Sequence, residues 1–327
     1  MKAIQVRELG EADVLELADV SEPVLKDDEV LVEVKAAAVN YADVLIRRGS
    51  YGTKRSLPFV PGFEAAGVVL QTGKCVSGWS TGQRVMGTVL RDACGCYAQR
   101  AAMPAWLLMP VPDAMTFEQA AAFSEVFITA YLALHVFGRL AAGEDVLIHA
   151  AGGGVGTAAV QLAHAMGARV FATASSQEKL DRIRSLGADV LINYATHDFL
   201  AEVKSLTQGR GVDVLLESVG GEVFDKSLKA LKPAGRMVVF GSSSGNAQNL
   251  SGRDLLSRSI TVAGFSFGWL SVVRQDLIRL CMQAVSEFLA SGKIHPVVGH
   301  VFPLAEARAA HELISSRASF GKILLIP

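Results

Sequence analysis

Residues 146–156 run Val146-Leu147-Ile148-His149-Ala150-Ala151-Gly152-Gly153-Gly154-Val155-Gly156. A strand-like run passes directly into three consecutive glycines, and a helical stretch through Gln161 and Met166 follows. Strand, glycine turn and helix, in that order, form the setting a dinucleotide-binding turn requires. Glycines let the backbone turn sharply and approach a pyrophosphate closely. The helix N-terminus supplies unpaired N–H groups and the positive end of a dipole. Tight strand-to-helix turns also occur without a ligand, so the flanking sequence has to decide.

Outward from the turn, strand and helix alternate. Strand-like runs cover 146–150, 169–174, 190–193, 212–217, 236–241 and 260–265. Helical runs lie between them, through Gln161, from Gln177 to Leu186 and through Leu228. Such alternation predicts βαβ units and a parallel, doubly wound sheet. Asp276 to Ala290 then carries a helical apolar face of Leu277, Leu280, Cys281, Ala284 and Phe288. A short strand near Val301, a helix through Ala310 and a last strand from Lys322 to Ile326 close the chain. Ahead of about Thr116 the sequence is β-rich. Glu29 to Ala37 alternates at period two, and turn residues recur at Gly49, Gly52, Pro58, Pro61, Gly62, Gly73, Gly78 and Gly82. An α/β nucleotide domain inserted into a β-rich catalytic domain is expected, with both chain ends building the latter.

Composition agrees with a well-packed chain of two domains. Half of the 327 residues are hydrophobic, and 31 basic residues nearly balance 32 acidic ones. The charges are interspersed with no basic stripe, which argues against nucleic acid as the main partner. The richest apolar stretch, Gln119 to Leu134, is broken by Ser124, Glu125 and Thr129, so no membrane span is expected. Met1 to Glu8 alternates like a strand and lacks the core of a signal peptide, so a cytoplasmic protein with reduced Cys75, Cys94, Cys96 and Cys281 is expected.

The spacing Ala150-x-x-Gly153-x-x-Gly156, with Gln161 beyond it, resembles the quinone oxidoreductase and zeta-crystallin branch of the medium-chain dehydrogenase/reductase superfamily. His164 departs from the residue more usual there. The resemblance runs the length of the chain, through Ala38-Val39-Asn40-Tyr41-Ala42-Asp43, Pro61-Gly62-Phe63-Glu64-Ala65-Ala66-Gly67, Thr129-Ala130-Tyr131, Ser218-Val219-Gly220-Gly221, Val239-Phe240-Gly241 and Phe320-Gly321-Lys322. It implies a GroES-like β-rich catalytic domain, residues 1–123 and 267–327, and a Rossmann NADP(H)-binding domain, residues 124–266.

The cofactor preference follows from a missing acid. Rossmann folds specific for NAD end their second strand with a carboxylate for the ribose 2′-OH, which would repel a 2′-phosphate. Here that strand ends Thr173-Ala174-Ser175-Ser176-Gln177, and Lys179 follows. Hydroxyls and a cation favour phosphate. The resemblance adds Tyr194 and Arg317 as phosphate partners, giving NADP(H) as the expected cofactor.

Zinc is not expected. Zinc alcohol dehydrogenases of the superfamily carry G-H-E-x-x-G, whereas this chain has Phe63 in the histidine's place, and the Asn40 to Asp43 segment where a cysteine ligand would stand. The structural zinc lobe needs four closely spaced cysteines, which are missing, and Cys94 with Cys96 supplies only two thiols. Reduction of a quinone or an activated C=C needs no Lewis acid, because the acceptor itself stabilises the charge that arrives with hydride.

Catalytic candidates are Asn40, Asp43 and Tyr51, which the resemblance puts beside the nicotinamide. Asn40 could orient the cofactor amide or a substrate carbonyl, and Tyr51 could donate to a carbonyl oxygen. The plainer alternatives are an Asn or Asp bonding its own backbone and an amphipathic wall residue. Glu64 is expected to be structural. Cofactor-binding candidates are Asn40, Thr129, the turn residues Ala151, Gly152, Gly153, Gly154, Val155 and Gly156, then Ser175, Ser176, Lys179, Tyr194, Ser218, Val219, Phe240, Gly241, Ser242, Phe265, Phe267 and Arg317. Phe265, Phe267 and Trp269 could wall an apolar pocket or pack as ordinary core. His149, inside the strand before the glycines, is expected to be a satisfied core residue.

The expected activity is NADPH:quinone reduction on a small electrophile. The alternative is NADPH-dependent reduction of enones, alkenals or enoyl thioesters, and further off a non-enzymatic nucleotide- or RNA-binding role such as zeta-crystallin relatives also serve. The apolar run Ile260 to Phe265 is expected at the edge of the nucleotide sheet. In relatives such edges meet across a dimer axis, so a homodimer through 260–265 is expected.

Overall fold

The computed structural model describes residues 1–51, 55–90, 95–246 and 249–327, so Gly52 and Cys94 lie outside the described residues. In chain order the strands are β1 (Lys2–Val6), β2 (Leu15–Asp19), β3 (Glu29–Val39), β4 (Glu64–Thr72), β5 (Arg84–Thr88), β6 (Arg100–Pro104), β7 (Leu108–Pro110), β8 (Asp145–Ile148), β9 (Arg169–Ala174), β10 (Val190–Asn193), β11 (Val212–Glu217), β12 (Leu231–Val239), β13 (Thr261–Gly264), β14 (Val298–Pro303) and β15 (Lys322–Ile326). Two compact units result. One comprises Met1–Val126, Ser271–Met282 and His295–Pro327, the other Phe127–Leu270 and Gln283–Ile294.

The second unit holds a six-stranded sheet in the order β10-β9-β8-β11-β12-β13, with every pair parallel. Counted from β8, that is 3-2-1-4-5-6, the doubly wound Rossmann order. Its middle strands read as near-continuous apolar runs because helices cover both faces. Leu147, Phe171, Val212, Leu215 and Met237 are wholly buried at its centre, each side chain contributing roughly 1.5–3 kcal/mol by leaving water. The strand order reverses between β8 and β11, and ligands of open α/β sheets bind beyond the carboxyl ends of strands at such a point. The expected edge strand is β13, which among the described residues pairs only with β12 and is partly exposed. No element is expected over 199–206 from the sequence, yet the helix Phe199–Leu206 forms there. Phe199 and Val203 give it a buried i,i+4 stripe, and the Asp198 carboxylate accepts from the Leu200 and Ala201 N–H groups at 2.8 and 3.4 Å.

The first unit is built on β3. In the sheet order β14-β15-β3-β4-β5-β7 it pairs antiparallel with β15 and β4, and β6 pairs with it as well. Ile323 faces Val39 and Glu64 faces Ala38 in register. The last strand of the chain and the start of β4 therefore flank the point where β3 gives way to Asn40. Gly67 is required here, since a Cβ on it would lie 1.9 Å from the Glu33 carbonyl oxygen. Among the described residues no helix is long and apolar enough to cross a membrane.

Candidate functional site

Asn40 caps the helix Tyr41–Arg47, and its N–H donates to Asp43 Oδ2 at 2.8 Å. The Asn40 side chain points to the two flanking strands. Lys322 Nζ donates to Asn40 Oδ1 at 2.7 Å, and Asn40 Nδ2 faces Glu64 Oε2 at 3.5 Å. Lys322 and Glu64 form a buried ion pair at 3.0 Å. Glu64 Oε1 also accepts the Glu125 N–H at 2.6 Å, near the start of the helix Ser124–Tyr131. A carboxylate is stabilised there by unpaired helix N–H groups. Glu64 thus has the structural role expected of it.

Two further carboxyls crowd this ion pair. Asp43 is buried, and its Oδ2 also accepts the Tyr97 hydroxyl at 3.0 Å. That hydroxyl lies 3.1 Å from His311 Nε2. Burial raises the Asp43 carboxyl to about 6, against the opposing pull of the Asn40 N–H, the Tyr97 hydroxyl, Lys322 and Arg55. Glu125 is only partly buried as a residue, but its Oε2 is sealed from solvent without a hydrogen-bond partner. Burial first, and then the negative charge of Glu64, raise its carboxyl to about 8. Sequence reasoning did not single out Lys322, Glu125, Tyr97 or His311. A lysine opening an otherwise apolar terminal strand and an acid interrupting an apolar run were the available signals.

Tyr51 packs against buried Phe63, ring centroids 6.1 Å apart, and the Arg55 guanidinium lies 5.5 Å from the Phe63 ring. Phe63 thus sits in an apolar and cation–π setting and offers no ligand atom. Among the described residues no cluster of three or more His, Cys, Asp or Glu is placed to hold a metal ion.

In the second unit, β8 ends at a turn in which Ala150 takes a left-handed φ of 49°, and the helix Gly154–Ala165 begins without a side-chain cap. A Cβ on Gly156 would lie 2.3 Å from the Ala150 carbonyl oxygen, so that glycine is needed for the turn itself. A Cβ on Gly153 would meet nothing closer than 3.4 Å, which leaves its outer side open. Bare N–H groups beside an open glycine fit a pyrophosphate. Ala151 and Gly152 are buried in the turn, while Gly153, Gly154 and Val155 are half-buried.

Beyond β9, Ser176 Oγ accepts the Lys179 N–H at 3.3 Å and caps the helix Gln177–Arg184. Burial lowers the Lys179 ammonium. Tyr194 is brought to the end of β9, its N–H donating to the Ala174 carbonyl at 3.1 Å, with an exposed side chain. Ser175, Ser176, Lys179 and Tyr194 therefore share one sheet end. Past β11, the Ser218 and Val219 carbonyls accept from Ser243 and Ser244, so that loop and the Gly241-Ser242 segment run together. A Cβ on Gly241 would be 3.2 Å from that of Ser218. Phe265 stacks on Phe137 at 4.9 Å and on Phe240 at 6.2 Å. Phe267 opens the helix Phe267–Val273, and Trp269 is exposed. Thr129 is buried in this unit. Arg317, exposed with a left-handed φ of 61°, stands just past the helix Ala307–Ser315 in the first unit. His149 is satisfied as expected, with both ring nitrogens bonded, to Thr173 Oγ1 at 3.1 Å and Ser227 Oγ at 2.9 Å.

Residues 26–113 match the family described as the alcohol dehydrogenase GroES-like domain, and residues 154–283 match the one described as zinc-binding dehydrogenase. The quinone oxidoreductase of Sus scrofa is 33% identical over all of this chain and 98% of its own. The chain belongs to the quinone oxidoreductase branch of the medium-chain dehydrogenase/reductase superfamily. The family's quinone oxidoreductase from Escherichia coli, solved in complex with NADPH, superposes with a TM-score of 0.92 at 33% identity, covering both chains fully. A protein described as an NAD-dependent alcohol dehydrogenase superposes with a TM-score of 0.91 at 34% identity, again over both full chains.

Proposed function

We propose that the protein reduces quinones with NADPH and needs no zinc. The observation that carries this reading is the end of β9. Ser175, Ser176 and Lys179 gather there with the Tyr194 segment, and the strand itself ends on hydroxyls rather than on a carboxylate that would repel a 2′-phosphate, Glu178 lying in the first turn of the helix beyond. The relative solved with NADPH supports it. NADPH, when bound, supplies the hydride. The turn 151–156 holds the pyrophosphate through backbone N–H groups. Ser218, Val219, Phe240, Gly241, Ser242, Phe265, Phe267 and Thr129 complete the nucleotide site, with Arg317 as a further phosphate partner. Asn40, Asp43 and Tyr51 serve the acceptor. Phe63 stands where zinc-dependent members carry a histidine, and an aromatic ring cannot replace that ligand. In this reading residues 1–123 and 267–327 form the catalytic domain and 124–266 the nucleotide domain. The protein is cytoplasmic and pairs through β13 into a homodimer.

The test is NADPH consumption with a panel of small quinones beside a panel of enones, run with NADH in parallel and with a chelator. Quinone turnover that prefers NADPH and survives chelation is expected. Turnover of enones alone would replace the proposal with double-bond reduction, and loss of activity on chelation would overturn its metal-free part.

A further inference from the structure

The Asn40 side chain is held in one polarity. Lys322 sits across from it because β15 and β3 are in register at Ile323 and Val39. The Lys322 ammonium is 2.7 Å from Asn40 Oδ1, 3.0 Å from Glu64 Oε2 and 3.4 Å from the Val39 carbonyl oxygen, so its three donors are all engaged. An ammonium has no acceptor, so the amide atom facing it must be the oxygen. Glu64 Oε2, which pairs with the Lys322 ammonium, offers an acceptor, so the amide atom facing it is the nitrogen. A flipped amide would set N–H against N–H and oxygen against oxygen. The main chain is fixed as well, through the Asn40 N–H on Asp43. Asn40 remains half-buried, not sealed, and the second hydrogen on Nδ2 has no partner among the described residues.

Resting on the quinone-reductase reading, we infer that Asn40 meets the acceptor only as a hydrogen-bond donor, to a carbonyl oxygen, and that Lys322 is the positioning residue that fixes this polarity. A quinone or enone oxygen gains negative charge as hydride reaches its conjugated carbon. A donor aimed at that oxygen is worth more in the transition state than in the ground state. The arrangement selects acceptors that carry a conjugated carbonyl oxygen and disfavours those without one.

Asn40→Asp tests the polarity directly. It keeps the shape and an oxygen for Lys322 but turns an oxygen outward where the wild type offers N–H. The expected result is a loss of about a hundredfold in kcat/KM for a quinone, with the NADPH dissociation constant from fluorescence titration within about twofold of wild type. Lys322→Met is expected to lower kcat more than it raises KM and to be partly rescued in Lys322→Arg. Asn40→Ala placed on Lys322→Met is expected to add nothing further. Should Lys322→Met fail to fold, Asn40→Asp decides alone. Wild-type quinone turnover in Asn40→Asp overturns the inference, as does a loss of NADPH affinity matching the loss of turnover. If wild type reduces enones but no quinones, the quinone reading falls, and the polarity is decided by the same variants on the enone. Wild type that binds NADPH and reduces neither overturns both.

Discussion

Lys322 Nζ stands 3.0 Å from Glu64 Oε2, with the two side chains 3% and 0% exposed. Taking two charges out of water costs several kcal/mol per ion, which their attraction offsets only if every remaining donor and acceptor is also bonded. Here Asn40, the Val39 carbonyl and the Glu125 N–H take up what the pair leaves over. Lys322→Met strands a buried carboxylate and should destabilise the protein by about 3–5 kcal/mol. Adding Glu64→Gln should restore much of that loss, because an uncharged side chain tolerates burial better. Urea unfolding of the two variants beside wild type checks this. Equal stability of the single and double variants would mean that the charge is not the cause.

Glu125 predicts a pH dependence. Its carboxyl is raised from the ordinary 4.5 to about 8, so between those values the folded state holds a proton that the unfolded chain has released. The resulting stability is present in full below the unfolded value and is lost as pH rises through about 8. Asp43, raised to about 6, acts with the same sign at lower pH. Glu125→Gln should therefore flatten the fall in unfolding free energy between pH 5.5 and 8.5, by on the order of 1–3 kcal/mol. Parallel pH profiles for the variant and wild type would remove Glu125 as the source.

The nucleotide sheet was legible in the sequence because its signals are local. The strands 169–174, 190–193 and 212–217 fall where alternating apolar runs put them, and each closes a short βαβ step. The buried cluster was not, because its members come from distant parts of the chain. Lys322 reaches Asn40 only once β15 pairs with β3, and Glu125 reaches Glu64 only once its helix starts against β4. Asp43 could be marked as a polar residue near a helix start. That it would be sealed and bonded to Tyr97 could not, since this needs the Tyr97 segment and His311 of the helix Ala307–Ser315 brought together from distant parts of the chain.

Two glycines of the turn should separate folding from binding. Gly156→Ala drives a Cβ to 2.3 Å from the Ala150 oxygen and 2.6 Å from the Ala151 Cα, so backbone must move. A cost of about 1–3 kcal/mol and a lowered Tm are expected. Gly153→Ala has room within the protein and should leave Tm nearly unchanged while weakening NADPH binding about tenfold or more. Melting curves and fluorescence titration read the two effects apart. A Gly153→Ala protein that binds NADPH like wild type would show that the phosphates lie elsewhere.

Cofactor preference should depend on Lys179. Its N–H is tied to the cap Ser176, and its ammonium is lowered by burial, so a dianionic phosphate nearby would recover part of the lost solvation. NADPH should be preferred to NADH by about tenfold or more. Lys179→Ala should raise the KM for NADPH several-fold and leave that for NADH little changed. Equal losses with both cofactors would place Lys179 away from the 2′-phosphate.

The edge of the nucleotide sheet carries the last prediction. Among the described residues β13 hydrogen-bonds only to β12, on one side, and Thr261 and Gly264 are exposed while Val262 and Ala263 are half-buried. An apolar edge of this kind offers a row of unpaired N–H and C=O groups to another strand. Two copies meeting edge to edge across a two-fold axis would satisfy both rows at once and continue the sheet through the pair, and an isologous contact of this kind closes without growing into a fibre. Val262 lies at the middle of the strand, opposite Met237. Val262→Pro removes one donor and Val262→Lys adds a charge that repels its own copy, so either change should shift the protein to monomers or aggregates. Light scattering at micromolar concentration decides the matter. A wild-type mass near 34.6 kDa would sink the dimer. Twice that mass in wild type, together with a monomer in Val262→Lys, would locate the interface at β13.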